Sequence, residues 1–187
     1  MTINPTLHTN RFQLIAIEDS SASNAHLVEM MQDARVQRYI TGHALSDAEA
    51  LAGLERFHRI NNNNGQGFWL IYNHSQICVG MCLLKPMPTE QASNYVETGY
   101  WIKPDFWGQG IAAEAASRLI EYAFLELQLE QVTAVADAEN IASIKSLLRA
   151  GLKREGEVVA YDTKLPFFRI TKNEFDAKID RGITVNK

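Results

Sequence analysis

The chain has 187 residues, 46% of them hydrophobic and 21% charged, with a formal net charge of −4 and a pI near 5.7. That is the make-up of one globular domain with room for a sizeable core, and its acidic balance argues against nucleic-acid binding, which draws on basic domains. No apolar run approaches the roughly 20 residues of a membrane span, and the opening MTINPTLHTNRFQL lacks the basic and apolar segments of a signal peptide, so the expected setting is cytoplasmic, with no membrane partner.

In chain order, Phe12, Leu14 and Ala16 alternate with Gln13, Ile15 and Ile17, which predicts a first strand apolar on both faces. Asp19 to Asp33 predicts a helix capped by Ser20 or Ser21, with Leu27, Met30 and Met31 turned inward. Ser46-Asp47-Ala48-Glu49 is a capping box, and Leu51, Leu54, Phe57 and His58 carry its helix to about Ile60. The run Asn61-Asn62-Asn63-Asn64-Gly65 closes that helix as a polar loop. Residues 68–72 and 77–84 predict two strands joined as a hairpin by Asn73-His74-Ser75-Gln76, and Pro86 and Pro88 break the second.

A strand over 94–102 and a helix ending near Leu127 come next. Val132, Ala134 and Ala136 mark a strand parallel to the 94–102 strand, because a helical crossover separates the two. Asn140 caps a further helix, with Ile141, Ile144, Leu147 and Leu148 as its buried face and Gly151 as its stop. Strands around 152–159 and 167–171 follow, and Thr171-Lys172-Asn173-Glu174 is a second capping box that starts a short closing helix through Phe175. With neither repeat nor linker, residues 1–187 read as one α/β domain.

The two cysteines, Cys78 and Cys82, sit four residues apart in one strand, about 13 Å, too far for a disulfide. They are expected to fill the core. The five histidines are scattered without metal-ligand spacing, so no metal is expected.

The most informative stretch is NYVETGYWIKPDFWGQGIAAEAASRLIEYAFLEL, residues 94–127. Tyr95, Val96, Tyr100, Trp101 and Ile102 suit a strand that Pro104 stops. Gly108 and Gly110 then lead into a helix with Ala112, Ala115, Ala116, Leu119, Ile120 and Ala123 on one face, and Glu114 and Arg118 four apart on the polar side. The first turn of a helix presents unpaired N–H groups and partial positive charge, and glycines let an anion approach closely. A phosphate or pyrophosphate on residues 108–113 is the expected ligand, and a plain tight turn is the alternative. Two other phosphate motifs are excluded. The dinucleotide fingerprint needs a glycine where Ala113 stands, after a buried apolar strand, and a P-loop needs a Gly-Lys-Ser/Thr triplet that the chain lacks.

Glu97-x-Gly99-Tyr100-Trp101-Ile102, then Trp107-Gly108-Gln109-Gly110-x-Ala112-x-Glu114-Ala115, then Asn140-x-x-Ser143 and Gly151-Leu152, resemble a GNAT acetyltransferase. The chain is most similar to the branch that includes the N-terminal acetyltransferases of ribosomal proteins, with Arg11, Ser46 to Glu49 and Arg169 to Phe175 also in keeping. The resemblance implies a GNAT fold, a mixed and mostly antiparallel seven-stranded sheet flanked by helices, with the 94–102 and 131–136 strands splayed. It implies acetyl-CoA as co-substrate and a primary amine as acceptor, either a protein N-terminus or a small molecule such as a polyamine or aminoglycoside, in a monomer or homodimer. Backbone groups of Trp101, Ile102 and Lys103 would pair with the pantetheine arm. Amides of Gln109, Gly110, Ile111, Ala112 and Ala113 would hold the pyrophosphate, and Asn140 would face the pantetheine or the thioester end.

Where many relatives place a tyrosine that protonates the leaving thiolate, this chain has Leu147. The role then passes to Ser143, to another residue or to solvent, although Ser143 also suits a plain backbone contact. Glu97 is the candidate general base, because it shares a strand face with Tyr95, Gly99 and Trp101; a structural ion pair is its alternative role. Asp33, Glu155, Glu157 and Asp162 are acids that could attract a cationic amine. A non-catalytic acyl-CoA-binding or partner-binding module of the same fold is the competing function.

Overall fold

The computed structural model describes residues 4–61, 64–91 and 94–180. Asn62 and Asn63 of the predicted loop lie outside them. In chain order the elements are β1 (Leu7–His8), β2 (Phe12–Ala16), α1 (Ser21–Met31), α2 (Ala34–Gln37), α3 (Asp47–Ile60), β3 (Gly67–Asn73), β4 (Cys78–Pro86), β5 (Val96–Ile102), α4 (Ile111–Leu125), β6 (Gln131–Val135), α5 (Ile141–Arg149), β7 (Lys153–Ala160), β8 (Thr163–Thr171) and α6 (Lys172–Asp180), with a 3-10 turn over Pro104–Phe106. Strands hydrogen-bond in the order β1-β2-β3-β4-β5-β6-β8-β7. Among the described residues the sheet therefore has eight strands, not the seven expected. The addition is β1, two residues that pair antiparallel with Gln13 and Leu14, too short to carry any periodicity.

The chain divides into two compact units, 1–83 with 100–111 and 84–99 with 112–187, so β4 and β5 contribute to both. In the first unit, Ile17, Leu27, Met30, Met31, Leu54, Phe57, Phe68 and Met81 belong to one buried cluster. Phe57 stacks on Phe68 with ring centroids 4.3 Å apart. Burying a side chain of this size stabilises by roughly 1.5–3 kcal/mol, which outweighs any single surface contact. Both predicted caps form: Ser20 Oγ accepts from the Ser23 amide, and Ser46 and Glu49 cap one another. Asn61 then ties the end of α3 to its neighbours, donating to the Ile17 carbonyl at 3.0 Å and accepting from the Phe68 amide at 3.1 Å.

In the second unit α4 buries Ala115, Ala116, Leu119, Ile120 and Ala123 of the predicted face, leaves Ala112 half-buried, and buries Tyr122 and Phe124 besides. Phe124 meets Phe175 of α6 at 5.0 Å. The expected Thr171–Glu174 box is present, each residue's side chain accepting from the other's amide. The predicted face of α5 needs correcting. Leu147 is buried, but Ile141 and Leu148 are 54% and 48% exposed. Ile141, Ile144 and Leu148 line up at helical spacing, but the inward side is set by Leu147 and Ala150, about one residue around the helix. Strand β8 also starts four residues earlier than the sequence suggests. Pro166 sits inside it opposite Glu157, where β7 shifts register between Arg154 and Glu157, and such a bulge is where a strand tolerates proline.

Candidate active site

Between β5 and α4 the chain makes the turn that the sequence marked out. Gly108 and Gly110 both have φ of +76°, a left-handed conformation that an L side chain rarely adopts, so glycine is required at both. A Cβ on Gly108 would meet nothing within 4 Å, so the turn is open to a ligand's approach on that side. The 15 residues of α4 follow at once, and the amides of its first turn have no partner within the helix. Arg11, just before β2, donates from Nη1 to the Gln109 carbonyl at 3.0 Å. Its guanidinium thus sits against the turn that leads into the helix end. These features fit a diphosphate.

Just upstream, three backbone positions expected to meet pantetheine are partly committed inside the chain. The Trp107 indole donates to the Ile102 carbonyl at 2.7 Å. The Lys103 amide donates to the Val79 carbonyl and its own carbonyl accepts from the Phe106 amide, both at 2.9 Å. Trp101 turns its ring onto Phe57, centroids 5.6 Å apart. Its carbonyl lies so close to Gly80 that a Cβ there would stand 2.3 Å from the oxygen.

The parallel pairing of β5 with β6 is as expected, and it registers one pair, Glu97 with Thr133. The Thr133 hydroxyl donates to the Val96 carbonyl at 2.9 Å in a fully buried position, so a side chain takes up a backbone acceptor where the ladder is this short. Glu97 is 4% exposed. Its Oε1 accepts from Lys85 Nζ on β4 and from the Tyr161 hydroxyl, which lies between β7 and β8. Lys85 Nζ also donates to the Tyr161 hydroxyl oxygen at 2.7 Å. The carboxylate therefore sits in a cluster of three, two members of which the sequence did not single out. Their separations from Glu97, 12 and 64 residues, leave no local pattern to find.

At the start of α5, Asn140 accepts from the Ser143 amide at 3.0 Å through Oδ1. This cap uses the carbonyl side of the Asn140 amide and leaves its NH₂ donors for a ligand. Ser143 is half-buried one turn into the helix. Leu147, at the position of the missing tyrosine, is 1% exposed and part of the core.

Three of the four acids expected to attract a cation already hold one. Asp33 pairs with Arg35, Glu155 with Arg169 and Glu157 with Lys164, at 2.6, 2.6 and 2.7 Å. Hydrogen bonding to Arg35 holds the Asp33 carboxyl below its ordinary range, and Lys164 does the same for Glu157. Both cysteines are free and buried, and burial pushes both thiols up, which makes them poor nucleophiles. Among the described residues no group of three or more potential ligands could hold a metal, and no helix is long and apolar enough to cross a membrane.

The site's frame is a mixed sheet whose parallel pair is joined by a helix opening on two left-handed glycines, with a buried carboxylate on one strand of that pair. The model of the acetyltransferase (GNAT) domain matches residues 11–153, and the chain belongs to that family. It is an acetyl-CoA-dependent N-acetyltransferase. The FsC-acetyl coenzyme A-N(2)-transacetylase of Aspergillus fumigatus is 30% identical over 170 residues, 87% of this chain and 71% of the relative. Among solved structures, the aminoglycoside acetyltransferase AAC(6')-Ib in complex with coenzyme A superposes with a TM-score of 0.73 at 12% identity, over 89% of this chain and 99% of that one. Spermidine N-acetyltransferase from Vibrio cholerae, in complex with CoA and spermine, does so with a TM-score of 0.69 at 16% identity, over 88% and 97%. At these identities the two structures speak for the fold.

Proposed function

We propose that acetyl passes directly from acetyl-CoA to a primary amine, with residues 1–187 acting as one catalytic domain. The amides of Gln109, Gly110, Ile111, Ala112 and Ala113 take the diphosphate, and Arg11 steadies the turn that presents them. Backbone groups of Trp101, Ile102 and Lys103, with the Asn140 NH₂ group, hold the pantetheine arm. The thioester supplies an electrophilic carbonyl, and what the protein must add is position and a place for a proton. An ammonium cannot attack until it loses one, and a buried carboxylate within hydrogen-bond reach accounts for a factor of roughly 10²–10⁴. Glu97 fills that role, and Ser143 stabilises the departing sulfur. The left-handed glycines at 108 and 110 opening α4 carry this reading, because they leave the unpaired amides of the first turn open to the close approach of an anion.

The acceptor is a singly charged amine such as a protein N-terminus rather than a polycation. The support is the pairing of Asp33, Glu155 and Glu157, which leaves those acids little net field for a second or third positive charge. Two reduced, buried thiols suit a cytoplasmic setting. The test is thiol release from acetyl-CoA with a panel of N-terminal peptides, spermidine and kanamycin. Turnover with a peptide is the expected result; turnover with the polycations alone would overturn the acceptor class, and no turnover with any amine would overturn the proposal as a whole.

A further inference from the structure

The cluster around Glu97 carries more than a base. Glu97 is 4% exposed, and the Lys85 and Glu97 side chains of the ion pair are 13% and 5% exposed, whereas Tyr161 is 49% exposed. The tyrosine is thus the member of the cluster that solvent, or an amine arriving from solvent, meets first. Its backbone is unusual too. Tyr161 and Asp162 form the turn between β7 and β8 with φ of 53° and 58°, where glycine, asparagine and aspartate are the common residues. A bulky side chain in this region is an outlier, and strain of this kind collects at functional sites. The strand beside the turn is anchored, since the Thr89 hydroxyl donates to the Val159 carbonyl at 2.8 Å. Lys85 Nζ lies 5.1 Å from the centre of the Tyr161 ring and bonds both its hydroxyl and Glu97.

We propose that Tyr161 is the group that touches the acceptor amine and that it relays the amine's proton to Glu97. The ammonium N–H breaks as its proton passes to the Tyr161 oxygen, while the Tyr161 O–H proton moves to Glu97 Oε1. The free amine then attacks the thioester carbonyl. The nitrogen's second proton leaves with the thiolate as the thiol, and the proton on Glu97 returns to solvent. Lys85 is a positioning residue: it fixes the carboxylate and the hydroxyl against each other and touches no substrate. The inference rests on Glu97 being the base.

The test compares Y161F, K85R, K85M and E97Q with the wild type, using whichever of a free-N-terminus hexapeptide, spermidine and kanamycin turns over. Y161F is expected to lose about a hundredfold or more in kcat, within the range of proton-transfer catalysis, while binding acetyl-CoA as the wild type does and keeping its thermal midpoint. K85R should recover most of the kcat that K85M loses. A solvent-deuterium proton inventory on the wild type needs no variant and should curve, because two protons move together. Wild-type kcat in Y161F beside a slow E97Q, a change confined to KM, or a straight inventory would each overturn the relay and leave the Glu97 reading standing. Wild-type kcat in E97Q would overturn both.

Discussion

The turn at 107–111 and the cluster at Glu97 are built in opposite ways. The turn is local: two glycines, a helix and its dipole, all within a few residues, so the chemistry follows from order along the chain. The cluster is assembled from β4, β5 and the turn after β7, and no stretch of sequence contains it. A backbone site has to spell out its special conformations, because only glycine adopts them freely. A side-chain site needs only that the fold bring ordinary residues together. Even the turn hides one long-range element, since Arg11 lies 98 residues from the Gln109 carbonyl it bonds.

The largest effect expected from breaking this contrast is at the cluster. E97Q keeps the shape and removes the base, so kcat should fall by roughly 10²–10⁴, with acetyl-CoA affinity unchanged in a binding titration. At the turn the pattern should reverse. G110V forces an L side chain to φ +76°, at a cost of about 1–2 kcal/mol, and displaces the amides, so acetyl-CoA affinity should fall about tenfold.

Three further changes lie outside the turn and the cluster and are read as stability. G80A would bring a Cβ to 2.3 Å from the Trp101 carbonyl, and urea unfolding should show a loss of about 1–3 kcal/mol. S46A removes one capping box and should lower stability by about 1 kcal/mol with no change in rate. The smallest effect concerns pH. The hydrogen bond from Lys153 holds the Glu174 carboxyl at about 2, against an ordinary value of 4.5. A depressed carboxyl stabilises the fold above its unfolded value and loses that contribution as pH falls through the folded one. The urea midpoint of the wild type should therefore drop more steeply than that of E174Q between pH 4.5 and pH 2.

How much was legible follows the same division. The cap at Ser20, the boxes at Ser46 and Thr171, the inward faces of α1 and α4 and the parallel partner of β5 were all readable, because each is a short-range pattern or follows from a crossover. Strand β1 was not, as two residues have no period, and neither was α2, at four residues. The face of α5 was misjudged because Ile141 and Leu148 are apolar yet exposed. Tyr161 fell in the gap between the strands predicted around 152–159 and 167–171. The Glu97 carboxylate was recognised, but its two donors could not be.

An amide NMR titration compares coenzyme A with pantetheine, which lacks the diphosphate, and tests the central claim most directly. The account predicts that the Gln109, Gly110, Ile111, Ala112 and Ala113 amides shift with coenzyme A and stay put with pantetheine at the same concentration. Amides that ignore coenzyme A, or that answer both ligands alike, would contradict it.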